Sequence, residues 1–369
     1  MDFSFSEEQS AVVESARQLF DGQLTDARRV EVESAEDGFD RGLWKALAAA
    51  NLLGLAVGVE EGGSGYGFGE VSVLLEEAGR AAAPVPLWAS LVLGGLPVAR
   101  FGSPQLRTEL LAPMAAGDLV LTAALVEAGS DPSHPATVAK RVGDKWELTG
   151  TKTCVPAGTV AGAVLVPATT EQGDTVVLVV DPSVEGIKVT RLETTTGIPE
   201  AHLDFDGARV DDSRLLGGDE VLSWLLPRAT AGLCSLMAGT CRSAVALTSE
   251  YARSRQQFGR VIASFQAVGQ RAADAYIDAE AVELTSRQAS WRLAEDRPSD
   301  EQVAIAKFWA AEGGQRVVHA AQHLHGGVGV DRTYPLHRYF LAAKQLELTL
   351  GGATTSLVRL GALIASGEA

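Results

Sequence analysis

The sequence predicts an α+β protein built as a helical block, a β block and a second helical block. Three observations carry that prediction. Apolar residues recur at helical spacing up to about residue 117 and again beyond about 222. Between those limits short Val- and Leu-rich runs alternate with Gly, Pro and Asp. The 369 residues, 46% hydrophobic and 21% charged, suffice for two or three domains with a large core.

Each element has its own signal. Ser6-Glu7-Glu8-Gln9 has the form of a capping box leading into Val12, Val13, Ala16, Leu19 and Phe20. A second helix is predicted over 43–53, and Glu60 to Gly65 interrupts it as a glycine-rich turn. Another helix covers 71–82 and ends before Pro84 and Pro86; one more covers 104–116. Strands are predicted at 146–150, 164–166, 176–180 and 202–205. Apolar-periodic runs at 224–254, 264–294, 301–324 and 353–366 then read as an antiparallel bundle, with a further helical run ending at Leu348.

The net charge of −16 argues against a surface for nucleic acid or anionic membrane, both of which need positive patches. An anionic ligand would have to be held by local arginines or helix N-termini. Cys154, Cys234 and Cys241 lack metal-ligand spacing and read as reduced thiols, the last two as core packing. The acidic N-terminus is no signal peptide, and no uncharged apolar stretch reaches 18 residues, so the expectation is a cytoplasmic chain with no membrane span.

Two segments could touch a nucleotide. In Arg255-Gln256-Gln257-Phe258-Gly259, followed by Gln266, an arginine and an aromatic ring three residues apart can pair with a pyrophosphate and pack beside a purine. The same residues also read as a plain helix end, with Arg255 against the dipole and Gly259 as the left-handed stop. In His323-Leu324-His325-Gly326-Gly327-Val328-Gly329, successive glycines let backbone N–H groups approach a phosphate; a helix-to-loop break is the alternative. His319 and His323 are four apart, but no intervening Glu or nearby acidic ligand accompanies them, so no metal is expected.

In order and spacing these two segments, with Glu60 to Gly65, Gly129-Ser130-Asp131 and Gly150-Thr151-Lys152, resemble the acyl-CoA dehydrogenase family over nearly the whole chain. The resemblance implies an N-terminal helical domain (1–117), a middle β-barrel or sandwich domain (118–222) and a C-terminal four-helix bundle (223–369). FAD and acyl-CoA would lie between the last two. It implies that Arg255, Phe258 and Gln266 contact the ADP half of the FAD bound to a neighbouring subunit. The loop with His323, His325, Gly326 and Gly327 would reach the same nucleotide. The implied reaction is α,β-desaturation: a carboxylate removes the α-proton of the thioester and a hydride leaves Cβ for the flavin.

The departures from the family pattern are as informative as the matches. Gly351 stands where a catalytic glutamate is often found, and the other base position of the family falls near Ala229. Glu347 is the one acid close by. Cys154 replaces a tryptophan, and Pro156 a hydroxyl residue, that usually contact the subunit's own flavin ring. The pattern resembles the glutamate-lacking subunit of an α2β2 sterol-type assembly, acting on a steroid or cholesterol side-chain CoA with a glutamate-bearing partner. An electron-transfer flavoprotein or similar acceptor would take the electrons. The alternatives are a self-sufficient homotetramer with a relocated base, a flavin-dependent monooxygenase on the same fold, and a chain that has kept only the fold.

Overall fold

The protein is described by a computed structural model covering residues 4–367. The α+β architecture is as expected. The order begins with α1 (Glu7–Gln23), α2 (Asp26–Ser34), α3 (Arg41–Ala49), α4 (Phe68–Ala81), α5 (Leu96–Phe101) and α6 (Pro104–Ala115). The first helix starts at the predicted box: Ser6 Oγ accepts from the Gln9 N–H at 3.1 Å, and Gln9 Oε1 accepts from the Ser6 N–H at 3.3 Å. α3 stops earlier than predicted because Asn51 takes a left-handed φ of 58°, which lets the Leu52 N–H reach back to Leu47. Two helical segments went unread. α2 is almost wholly polar, with only Val32 buried, and is started by Thr25 accepting from the Arg28 N–H. The π-wound turn Trp88–Gly95 and α5 are apolar but for Ser90 and the exposed Arg100, and Gly94, Gly95 and Pro97 hide their period.

The middle strands are β1 (Leu121–Ala123), β2 (Val138–Val142), β3 (Lys145–Pro156), β4 (Ala163–Thr170), β5 (Thr175–Val180), β6 (Ile187–Leu192), β7 (Glu200–Asp211) and β8 (Leu215–Gly217). They form one eight-stranded sheet in the order β6-β7-β3-β2-β4-β5-β8, with β1 parallel to β4. β5 is buried along its whole length, so its unbroken Val-rich run needs no polar alternation. β7 alternates instead, sending Leu203 and Phe205 into a core with Trp146, Leu148 and Val164.

Then come α7 (Asp219–Ser254), a hairpin of β9 (Gln256–Gln257) and β10 (Arg260–Val261), α8 (Gln266–Ala294), α9 (Asp300–Phe308), α10 (Gly314–His325), α11 (Leu336–Leu348) and α12 (Ala353–Ser366). A π-wound turn at Trp309–Gly313 joins α9 to α10, so the predicted run 301–324 is two helices in line. By packing, the chain up to Val13, Ser72–Ala83 and the chain from Thr230 onward form one compact unit; Glu14–Val71 and Pro84–Ala229 form another. In the first unit α4 packs on α7 so closely that a Cβ on Gly79 would overlap the Leu236 carbonyl, and one on Gly239 the Glu76 carbonyl. Arg242 bonds the buried Glu76 and Glu77 at 2.7 and 2.8 Å, and Arg287 bonds Glu76 at 3.1 Å. No buried carboxylate of that set is left uncompensated. Among the described residues two stretches are apolar and long enough to cross a membrane by length and composition: Asp219–Ser254, whose apolar window is 78% buried, and Leu336–Ser366, whose window is 6% buried.

Candidate functional site

The Arg255 segment is a tight hairpin that holds its side chains out from the fold. Gln257 pairs with Arg260 across a turn in which Phe258 and Gly259 both have positive φ, 55° and 78°. Such a turn favours Asn or Gly, so a phenylalanine there carries strain of about 1 kcal/mol. The ring gains little burial in return: Phe258 is 91% exposed and lies in a T-shaped arrangement with Phe265, centroids 6.1 Å apart. Arg255 lies just past α7, exposed, and its guanidinium has no partner among the described residues. Gln266, the first residue of α8, is exposed as well. Beside the hairpin a groove of about 220 Å³ is lined largely by small residues, among them Ala252, Gly269, Ala272 and Ala321, with Arg253 and Tyr276.

The glycine segment divides in two. His323 is exposed, and Gly326 takes φ 61° and ψ −137°, a conformation that needs glycine. A Cβ on Gly326 or Gly327 would meet nothing within 4 Å, so their backbone faces open space. His325 is only 3% exposed, and its imidazole is occupied within the protein. As a side-chain contact for a nucleotide it is misplaced; only its backbone belongs to the turn.

In the β domain, the segments before Gly129 and after Gly150 meet as a buried ion pair. Lys152 Nζ donates to Glu127 Oε1, which also accepts from the Thr137 hydroxyl at 2.7 Å and its N–H at 3.0 Å. Burial opposes ionisation of Glu127, but the hydrogen bonds from Lys152 and Thr137 outweigh it and hold the carboxyl below its usual range. Burial lowers the Lys152 ammonium more than Glu127 restores it. Two residues after Lys152, β3 bulges: Cys154 is exposed with φ 49°, and the register shifts between Lys152 and Val155. The Thr153 N–H is spent on the Val126 carbonyl, and the Pro156 carbonyl accepts from the Thr122 hydroxyl at 2.6 Å. Nothing at Pro156 donates.

The two base positions hold no acid. Gly351 has φ 99°, and a Cβ there would stand 3.0 Å from Thr355 Cγ2. Leu350 before it is also left-handed, at φ 56°. Ala229 is fully buried in α7, and its carbonyl accepts from Trp88 Nε1 at 2.9 Å. The Glu347 carboxylate is tied to Lys344 at 2.6 Å on its own helix. The turn after α11 is anchored by a residue that the sequence reading passed over. Lys307, 2% exposed, donates to the Leu346 and Glu347 carbonyls at 2.7 and 3.2 Å. Burial lowers its pKa to about 8, against the opposing pull of Cys234 and Glu347. A lysine near a helix end reads as solvated, and no sequence signal marks this one as buried. Among the described residues no group of three or more His, Cys, Asp or Glu is placed to hold a metal.

Residues 6–118, 125–207 and 217–361 match the N-terminal, middle and C-terminal domains of acyl-CoA dehydrogenase. The acyl-CoA dehydrogenase FadE27 of Mycobacterium tuberculosis is 44% identical over 98% of both chains. A chain in the crystal structure of the ChsE4–ChsE5 complex from the same organism is 43% identical, with a TM-score of 0.95 over 99% of each chain. A chain of a Tcur3481–Tcur3483 steroid ACAD variant is 42% identical, with a TM-score of 0.93 over 98% of this chain and 99% of that one.

Proposed function

This chain belongs to the acyl-CoA dehydrogenase family of FAD-dependent oxidoreductases, and we propose that it is the base-lacking subunit of a heteromeric member. In that reading it lends nucleotide contacts to the flavin of a glutamate-bearing partner. The observation that carries it is a contrast within one chain. Arg255 and Phe258 are exposed and unsatisfied, while Gly351 and Ala229 offer no carboxylate and Pro156 offers no donor. Glu347, paired with Lys344, is a poor substitute base.

The chain's own residues suit the ADP half of FAD. The Arg255 guanidinium can meet a pyrophosphate bidentately, Phe258 offers a ring to stack, and Gly326 and Gly327 present backbone without obstruction. Gln266 and His323 stand exposed as further polar contacts. Bound FAD supplies the hydride acceptor for α,β-desaturation. The proton-abstracting carboxylate, without which such a step loses about two to four orders of magnitude, comes from the partner. Assembly is supported by apolar side chains left in solvent on the last helices: Leu348 at 66%, Val358 at 68% and Ile364 at 60% exposure. The likeness to a structure described as a steroid ACAD supports a steroid or cholesterol side-chain CoA as substrate, and the likeness to a chain of a two-protein complex supports a heteromer. The proposed enzyme is a cytoplasmic α2β2 assembly feeding an electron-transfer flavoprotein or similar acceptor.

Co-expression with a glutamate-bearing subunit tests the proposal. Half a flavin per chain is expected in the purified complex, and Arg255→Ala should reduce it sharply. A full flavin complement on this chain alone, with desaturase activity, would overturn the reading.

A further inference from the structure

His325 makes four contacts that together fix its chemical state. Its Nδ1 lies 2.8 Å from the Ala321 carbonyl, which can only accept, so Nδ1 carries the hydrogen. Nε2 is 3.2 Å from the Tyr334 hydroxyl. With Nδ1 protonated and the ring neutral, Nε2 is the acceptor and the tyrosine donates. The imidazole stacks on the Tyr251 ring at 4.4 Å and 23°, and the Tyr251 hydroxyl donates to the His325 carbonyl at 3.4 Å. Burial favours the uncharged ring.

These contacts join two places far apart in sequence. Tyr251 is on the last turn of α7, and its carbonyl accepts from the Arg255 N–H at 2.8 Å, so it sits at the root of the Arg255 hairpin. His325 is the last residue of α10, at the root of the glycine turn. Gly329 folds back so tightly that a Cβ there would come within 3.1 Å of His325 Cβ and 2.9 Å of the Gln322 carbonyl.

We infer that His325 is a positioning residue: held as the neutral Nδ1–H tautomer between Tyr251 and Tyr334, it locks the Arg255 hairpin and the Gly326–Val330 turn into one preformed cradle. The inference rests on the proposed function for what the cradle receives, but not for the coupling itself. A cradle ordered before binding spares the entropy of ordering two loops on the ligand. It also explains how a turn with three glycines in five residues holds its shape.

The full-length chain with ¹⁵N-labelled histidine gives the first test. One resonance set, absent from His325→Phe, should show a neutral ring protonated at Nδ1; an Nε2–H tautomer or an imidazolium at neutral pH would overturn the inference. The second test is amide hydrogen exchange of Tyr334→Phe, a change mild enough to leave the fold standing, beside His325→Phe. Exchange in 326–331 and in 255–261 should rise together, on the order of tenfold. A rise confined to 326–331, or none, sinks the coupling. In the complex with a glutamate-bearing subunit, Tyr334→Phe should weaken FAD retention several-fold. If Arg255→Ala leaves the flavin content unchanged while the two segments still loosen together, the proposed function fails and the coupling stands.

Discussion

Two groups of residues that the proposed function assigns to FAD chemistry are built to different standards within this chain. The group proposed to meet the nucleotide is over-determined: a strained turn holds Phe258 in solvent, and a buried His325 stacked on Tyr251 braces the glycine turn. The ring-and-base end is satisfied without any ligand. Lys152 is taken by Glu127, the Pro156 carbonyl by Thr122, and the Ala229 carbonyl by Trp88, while Gly351 has no side chain at all. On the proposed function, uncompensated strain and exposed polar groups belong to surface kept for a ligand, and internal satisfaction to surface that only has to fold.

That contrast can be broken first at its most costly point. If the Glu127–Lys152 pair is structural, Lys152→Met leaves a buried carboxylate unpaired and should cost about 3–5 kcal/mol in urea unfolding. Loss of flavin with unchanged stability would move Lys152 to the functional side.

Lys307 sharpens the comparison through pH. Its ordinary value of 10.5 falls to about 8 on folding, so the folded protein binds fewer protons between those limits. Stability should therefore rise as pH climbs from about 8 to about 10.5, by roughly 3 kcal/mol relative to Lys307→Met, at 1.4 kcal/mol per unit. A flat difference between the two proteins across that window would show that Lys307 is not buried as an ammonium.

The smallest effect belongs to the glycine that stands at the base position. Gly351→Glu puts a side chain at φ 99° against Thr355 and should lower stability by about 1–2 kcal/mol without conferring desaturase activity on the chain. Gly352→Glu, with a negative φ and nothing nearer than the Glu347 carbonyl at 4.0 Å, should fold nearly as well as the wild type. Activity in the Gly351 variant alone would show that only the missing carboxylate separates this chain from a working enzyme.

Features that depend on neighbours in sequence were legible. The Ser6–Gln9 box, the long C-terminal runs and β5 all follow from local spacing. The two segments proposed to meet a nucleotide were also picked out locally, because glycines and an Arg-x-x-Phe spacing are local patterns. What failed to show locally was missed: the polar helix α2, the largely apolar segment at 88–101, and strands β2 and β6, whose residues are mostly exposed. His325 was visible as a residue but not as a buried one.

The sequence by itself determined the order of helical and β blocks, the family, and the absence of an acid at either base position, because those are properties of residue identity and short-range period. Only the tertiary structure decided which polar groups are spent and which are left over. Glu127 meets Lys152 across 25 residues, Lys307 reaches the end of α11 across 39, and Tyr251 reaches His325 across 74. Whether a side chain is a partner or an offer depends on what the fold brings beside it, and contacts of that range leave no periodic trace in the chain.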